Sequence, residues 1–128
     1  MDDVDRARIL VVDDNPTNLK LAGDVLEWSG YEVARAVDAE QALTIIEQTP
    51  LDLILMDIGL PGMDGIELTR KLKAHEATKG IRIVALTAFA MKGDEQKVLE
   101  AGCDGYIAKP IDTRVLAEQV ARCLGEDQ

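Results

Sequence analysis

The sequence predicts an α/β fold, a parallel sheet with helices packed on both of its faces. Three observations predict it. First, short aliphatic runs recur along the chain: Ile9 to Val12, Leu53 to Met56, Ile83 to Leu86 and Gly105 to Ala108. Continuous apolar runs of this length suit strands buried on both faces. Second, segments with helical spacing of apolar residues separate these runs, and such alternation implies parallel strands joined by crossover helices. Third, each run is closed by residues that carry chemistry: Asp13 and Asp14, Asp57, Thr87, and Lys109 before Pro110. In an open parallel sheet that position is the carboxyl edge, where ligands bind.

Taken in order, Arg8 to Val12 reads as the first strand. Asn15 is placed to cap the next helix and Pro16 to open it, where a missing N–H costs nothing. Leu19, Ala22, Val25 and Leu26 give that helix its apolar face, and Gly30 ends it. Trp28, near its end, reads as a packing residue. Tyr31 to Ala36 is the second strand. Asp38 and Gln41 form a capping box ahead of Ala42, Leu43 and Ile46. Leu53 to Met56 is the third strand, and the Pro and Gly content of Leu60 to Gly65 marks a turn. The third helix runs to about Ala74 on Ile66, Leu68 and Leu72. Ile81 to Leu86 is the fourth strand. Ala90 to Ala101 is a weaker helix, because Gly93 inside it costs about 1 kcal/mol relative to Ala. Tyr106 to Ala108 is the fifth strand. Asp112 is expected to cap a last helix that carries Leu116, Val120, Cys123 and Leu124 on one stripe.

Length and composition bound the function. A chain of 128 residues is one domain with room for a single core. Aromatic residues are only 3%, so that core is aliphatic. No apolar stretch approaches the roughly 18 residues that span a bilayer, and the acidic start lacks a signal-peptide core. The expectation is a cytoplasmic protein. Cys103 and Cys123 are too few and too scattered for a disulfide framework and read as small apolar residues. A net charge of −10 disfavours nucleic acid and anionic membranes as direct partners. Most of these acids read as a solvated surface. His75 stands far from the strand ends and reads as a surface residue. Met56 and Met63 read as core or turn filling.

The strand ends bring three carboxylates, a hydroxyl and an ammonium to one edge. Like charges a few ångströms apart do not all ionise comfortably, and a divalent cation relieves the repulsion. All-oxygen ligands favour Mg²⁺ or Mn²⁺ over zinc, and Mg²⁺ is commonly shared with a phosphoryl group. Lys109 offers a cation for a phosphoryl oxygen and Thr87 a donor. The set suits phosphoryl transfer onto a carboxylate, where catalysis is positioning plus charge neutralisation.

These segments, Ile9 to Asn15, Leu55 to Gly65, Ala85 to Ala88 and Tyr106 to Pro110, resemble the receiver domain of two-component response regulators, of the single-domain chemotaxis and cell-cycle type. The resemblance runs from Ile9 to about Leu124. It implies a flavodoxin-like, doubly wound five-stranded parallel sheet of order 2-1-3-4-5 with five helices. It implies Asp57 as acceptor of a phosphoryl group from a histidine kinase or histidine phosphotransfer protein. Asp14 matches the direct metal ligand, Asp13 the acid linked through water, and Gly59 a carbonyl ligand. Thr87 matches the switch hydroxyl, Tyr106 the switch aromatic and Lys109 the phosphoryl-binding lysine. Pro110 follows a bond that is often cis in the family. The fourth helix, fifth strand and fifth helix would form the face that meets a downstream protein. The start of the first helix, with Asn15, Pro16 and Asn18, and Ile111 would meet the phosphodonor.

One departure bears on how long the phosphoryl group would last. Gly59 stands two residues past Asp57, where the family usually carries a side chain. Phe89 holds the corresponding place past Thr87. The resemblance implies no enzyme activity beyond self-catalysed phosphoryl acceptance and loss. The rival reading as a small aspartate-nucleophile phosphatase calls for an acid at Gly59. A flavin or nucleotide carrier calls for a phosphate loop where Asp13 and Asp14 stand. A degenerate receiver acting only by contact would not need the full acidic set with Thr87 and Lys109. The chain is expected to be a stand-alone receiver over residues 1–128. Excision from a hybrid histidine kinase or multidomain regulator is the alternative.

Overall fold

A computed structural model describes residues 7–58, 65–87, 96, 99–109 and 111–125. Its elements are β1 (Arg8–Val12), α1 (Pro16–Trp28), β2 (Glu32–Ala36), α2 (Ala39–Gln48), β3 (Leu53–Asp57), α3 (Gly65–Ala74), β4 (Arg82–Thr87), β5 (Gly105–Ala108) and a C-terminal helix (Leu116–Leu124). Residues 96 and 99–101 are helical, inside the stretch where the sequence expects a fourth helix. The strands form one parallel sheet of order β2-β1-β3-β4-β5, the flavodoxin-like order.

Alternation along each strand divides the core in two. Leu10, Val12, Ile54, Met56, Ile83 and Ala85 face α2 and α3, meeting Ala39, Ala42, Leu68 and Leu72. Ile9, Val11, Leu53, Leu55, Val84 and Leu86 face the other way, meeting Leu19, Ala22 and Leu26 of α1 and Leu116 and Val120 of the C-terminal helix. β1, β3 and β4 are apolar along their buried lengths because both of their faces are covered, whereas the edge strand β2 carries Glu32 and Arg35.

Helix ends follow the expected chemistry with some exceptions. The Asn15 side chain accepts hydrogen bonds from the N–H groups of Thr17 and Asn18 at 2.9 and 3.2 Å. Gly30 follows the first helix at φ 105°, a left-handed turn that favours glycine. Asp38 caps α2 through the Gln41 N–H at 2.8 Å, and the Gln41 side chain reaches back to the Val37 N–H. Asp112, in contrast, does not cap the last helix. Its carboxylate accepts from the Arg114 N–H at 3.0 Å, which builds a turn, and the helix starts after Val115 without a side-chain cap. Trp28 is 92% exposed and does not pack as expected. It lies two residues past Leu26, roughly 200° round the helix from the buried stripe. Cys103 is buried, Cys123 half-buried, and neither forms a disulfide. His75 is exposed at the end of α3, as read from the sequence. Among the described residues no helix is long and apolar enough to cross a membrane.

Candidate functional site

The sheet order places β1 beside β3, and β3 beside β4. Asp57 is the last residue of β3 and pairs with Leu86, while Thr87 ends β4 and pairs with Ala108. Both residues therefore belong to the ladder, one position earlier than their place just past each apolar run suggests. That makes them stiffer than loop residues. Asp13, immediately after β1, is tied to β2 by its N–H to the Ala36 carbonyl at 3.1 Å.

The three acids meet as expected. One carboxylate oxygen from each of Asp13, Asp14 and Asp57 lies within 4.8 Å of the other two. Asp13 is fully buried, Asp57 is 6% exposed, and Asp14 opens to solvent. Lys109 Nζ sits 3.0 Å from Asp57 Oδ2 and 3.9 Å from Asp13 Oδ2. The Lys109 N–H donates to the Thr87 carbonyl at 2.8 Å, so the ends of β4 and β5 are joined beside the cluster. Thr87 is buried at 3% exposure. Tyr106 is exposed on β5, in register with Ala85. Asn18 and Ile111 are half-buried, Ile111 against the α1 side of the core. Gly59, Phe89 and Pro110 lie outside the described residues.

Asp13 carries the electrostatic cost of the cluster. Its Oδ1 accepts from the Asn15 N–H at 2.9 Å. Its Oδ2 is buried and no hydrogen bond reaches it. Burial, followed by the nearby Asp57 charge, raises its carboxyl above the usual range, against the pull of the Asn15 N–H and Lys109. An orphaned buried oxygen among three carboxylates that, among the described residues, meet one ammonium fits a hard divalent cation, and the all-oxygen donor set fits it too.

One residue of the site goes unnoticed in sequence, where Gly65 reads only as part of a turn. A Cβ at Gly65 would lie 2.6 Å from the Ile58 Cα and 2.7 Å from the Asp57 carbonyl oxygen. Nothing in local sequence marks this contact, because it depends on where α3 returns to the sheet.

A parallel sheet of this order, with an acidic cluster, a lysine and a buried threonine at its carboxyl edge, carries a donor set suited to phosphoryl chemistry. The chain matches the response regulator receiver domain over residues 9–121, and it belongs to that family. It is 43% identical over 118 residues to the polar-differentiation response regulator DivK of Brucella ovis, covering 92% of this chain and 96% of DivK. A putative response regulator from Chloroflexus aurantiacus superposes with a TM-score of 0.88 at 35% identity, covering 94% of this chain and 98% of that one. The receiver domain of the sensor histidine kinase PA1611 from Pseudomonas aeruginosa, solved with magnesium in its active-site cleft, gives a TM-score of 0.84. It is 38% identical and the match covers 94% of this chain and 98% of that one.

Proposed function

We propose that Asp57 takes a phosphoryl group from the phosphohistidine of a histidine kinase or histidine phosphotransfer protein, and that the chain switches its partner surface in response. The observation that carries this reading is the Asp57 carboxylate, held 3.0 Å from the Lys109 ammonium. It stands inside the Asp13 and Asp14 cluster. An Asp57 oxygen attacks phosphorus, the bond from phosphorus to the imidazole nitrogen breaks, and the electron pair leaves with the ring. Asp13, Asp14, Asp57 and the Gly59 carbonyl would hold Mg²⁺, with Mn²⁺ as a substitute. When bound, the ion neutralises charge building on the phosphoryl oxygens. Lys109 supplies the protein's own positive charge, within reach of both Asp57 and Asp13.

The new group adds a charge of about −1.5 to −2. The Thr87 hydroxyl and Lys109 turn toward it. Their backbone link joins them, so the end of β5 is drawn with β4 and Tyr106 moves inward. This biases a two-state surface over the fourth helix, β5 and the C-terminal helix. We read residues 1–128 as one such cytoplasmic receiver, with no turnover of an external substrate beyond acceptance and loss of the group.

The test uses beryllofluoride as a phosphoryl mimic and NMR as readout. Wild type should show shifts spreading from Asp57 to Tyr106 and the C-terminal helix. Lys109→Ala and Thr87→Ala should confine the shifts to the acidic edge while still allowing some labelling by acetyl phosphate. A wild-type spread in both variants would overturn the switch.

Two further expectations arise from the same site. Replacing Asn18 and Ile111 should slow transfer from the cognate kinase by about tenfold and spare acetyl phosphate labelling. Interfaces of this kind are small and transient, so a few side chains matter. Equal slowing with both donors would place the damage in the site. For lifetime, Gly59 brings no amide or acid to orient water, and Phe89 is bulky and apolar. Slow decay of the phosphorylated protein is expected, with faster decay in Gly59→Asn and Phe89→Ala. If neither variant decays faster than wild type, these positions do not set the lifetime.

A further inference from the structure

The backbone of the acceptor is held from two sides. The Ile58 N–H donates to the Leu86 carbonyl at 3.2 Å, which secures it to β4. The Gly65 N–H donates to the Ile58 carbonyl at 3.1 Å, which secures it to the start of α3. Between them, the hydrogen on Gly65 that a side chain would replace points at backbone atoms of Asp57 and Ile58, 2.7 and 2.6 Å from a Cβ. A side chain there meets no flexible tip able to swing aside, so the strand end or the helix has to shift. Gly65 is not in a left-handed conformation. Its requirement is therefore close approach and not backbone freedom.

The first turn of α3 is itself seated. Thr69 is 1% exposed, and its hydroxyl donates to the Gly65 carbonyl at 2.7 Å. The buried thiol of Cys103 reaches the same hydroxyl at 3.8 Å. Leu68 and Leu72 anchor the helix in the core on either side. A threonine that bonds its own helix backbone is common. Here the bonded carbonyl belongs to the residue pressed against the acceptor.

We propose that Gly65, seated by Thr69, is a positioning residue for phosphoryl acceptance: it sets the line along which the Asp57 carboxylate meets the incoming phosphorus. The proposal rests on the reading of Asp57 as acceptor and adds a residue outside the acidic set. In-line transfer is sensitive to displacement, with misplacement by about 1 Å costing on the order of a hundredfold. A shift of a few tenths of an ångström at Asp57 is expected to cost roughly tenfold.

The test follows acetyl phosphate labelling by intact mass at saturating Mg²⁺ over a range of donor concentrations. Gly65→Ala should lower the maximal labelling rate roughly tenfold and leave the donor half-saturation and Mg²⁺ affinity within about twofold. Thr69→Val keeps the volume and removes the hydroxyl; it should lose roughly threefold, and Thr69→Ser should restore the rate. The amide resonance of Ile58 in metal-free protein should move in Gly65→Ala and Thr69→Val and return in Thr69→Ser. A folded Gly65→Ala that labels at the wild-type rate overturns the proposal. If Gly65→Ala does not fold, the threonine pair decides: equal rates for Val and Ser overturn it, and loss with rescue supports it. Wild type that takes no label, or takes it away from Asp57, fails the acceptor reading and the proposal with it, a result separate from the variant comparison.

Discussion

Asp57→Asn should abolish labelling by acetyl phosphate and by kinase. Wild type should take one phosphoryl group under the same conditions. Asparagine keeps the size and the place at the end of β3 but is not a nucleophile toward phosphorus. Asp13 and Asp14 stand within reach, and both are carboxylates. Lys109 Nζ stands 3.0 Å from Asp57 and 3.9 Å from the fully buried Asp13, and Asp14 is open to solvent, so Asp57 is the acid best placed beside the ammonium. A loss of at least a hundredfold in rate is therefore expected, on the order of what misalignment alone costs. Intact mass followed by borohydride trapping of the acyl phosphate measures it. Equal labelling of wild type and variant would remove Asp57 from its role.

The second large effect concerns Asp13 in metal-free protein. Its Oδ2 is buried without a hydrogen bond, and the nearby Asp57 charge opposes ionisation of the carboxyl more than Lys109, 3.9 Å away, favours it. Asp13→Asn removes that charge, keeps an oxygen for the Asn15 N–H, and places an amide donor near Asp57. The variant should be more stable at neutral pH by about 1–3 kcal/mol, the usual cost of an unsatisfied buried polar group. That corresponds to a melting temperature higher by about 4 °C for each kcal/mol in a domain of this size.

The pH dependence has a definite sign. The folded pKa of Asp13 lies above its ordinary value of 3.8, so its contribution is fully present below that value. It is lost as pH rises through the raised folded pKa. The stability gap between variant and metal-free wild type should therefore widen as pH climbs from about 4 toward neutrality. Added Mg²⁺, by binding the folded site, should raise the melting temperature of wild type by mass action. Asp13→Asn and Asp14→Asn should blunt that rise. Differential scanning calorimetry with and without Mg²⁺ checks both halves. A variant less stable than metal-free wild type at neutral pH, or one with the full Mg²⁺ response, would contradict the account of the cluster.

Much of this protein was legible in its residues because the signals are local. The aliphatic runs mark strands buried on both faces, and Asn15, Pro16 and Gly30 mark the limits of α1 by backbone chemistry that needs no tertiary contact. The acids, Thr87 and Lys109 fall at strand ends, and parallel strands put all of those ends on one edge. The failures were local signals overruled by their surroundings. Asp112 looks like a helix cap, but its carboxylate is taken by the N–H and guanidinium of Arg114 in the preceding turn. Trp28 looks like packing by size, but its position on the helix turns it into solvent.

The sequence by itself determined the class of fold, the strand ends that carry the chemistry and the kind of chemistry they suit, since periodicity and residue type are properties of short segments. Only the tertiary structure decided which of the acids is buried and bears the strain, and how near Lys109 stands to Asp57. It alone placed Gly65 against the backbone of Asp57. Those facts depend on strand order and on where α3 returns to the sheet. A Cβ on Gly65 would lie 2.7 Å from the carbonyl oxygen of Asp57, eight positions earlier in the chain, a closeness that no local pattern encodes.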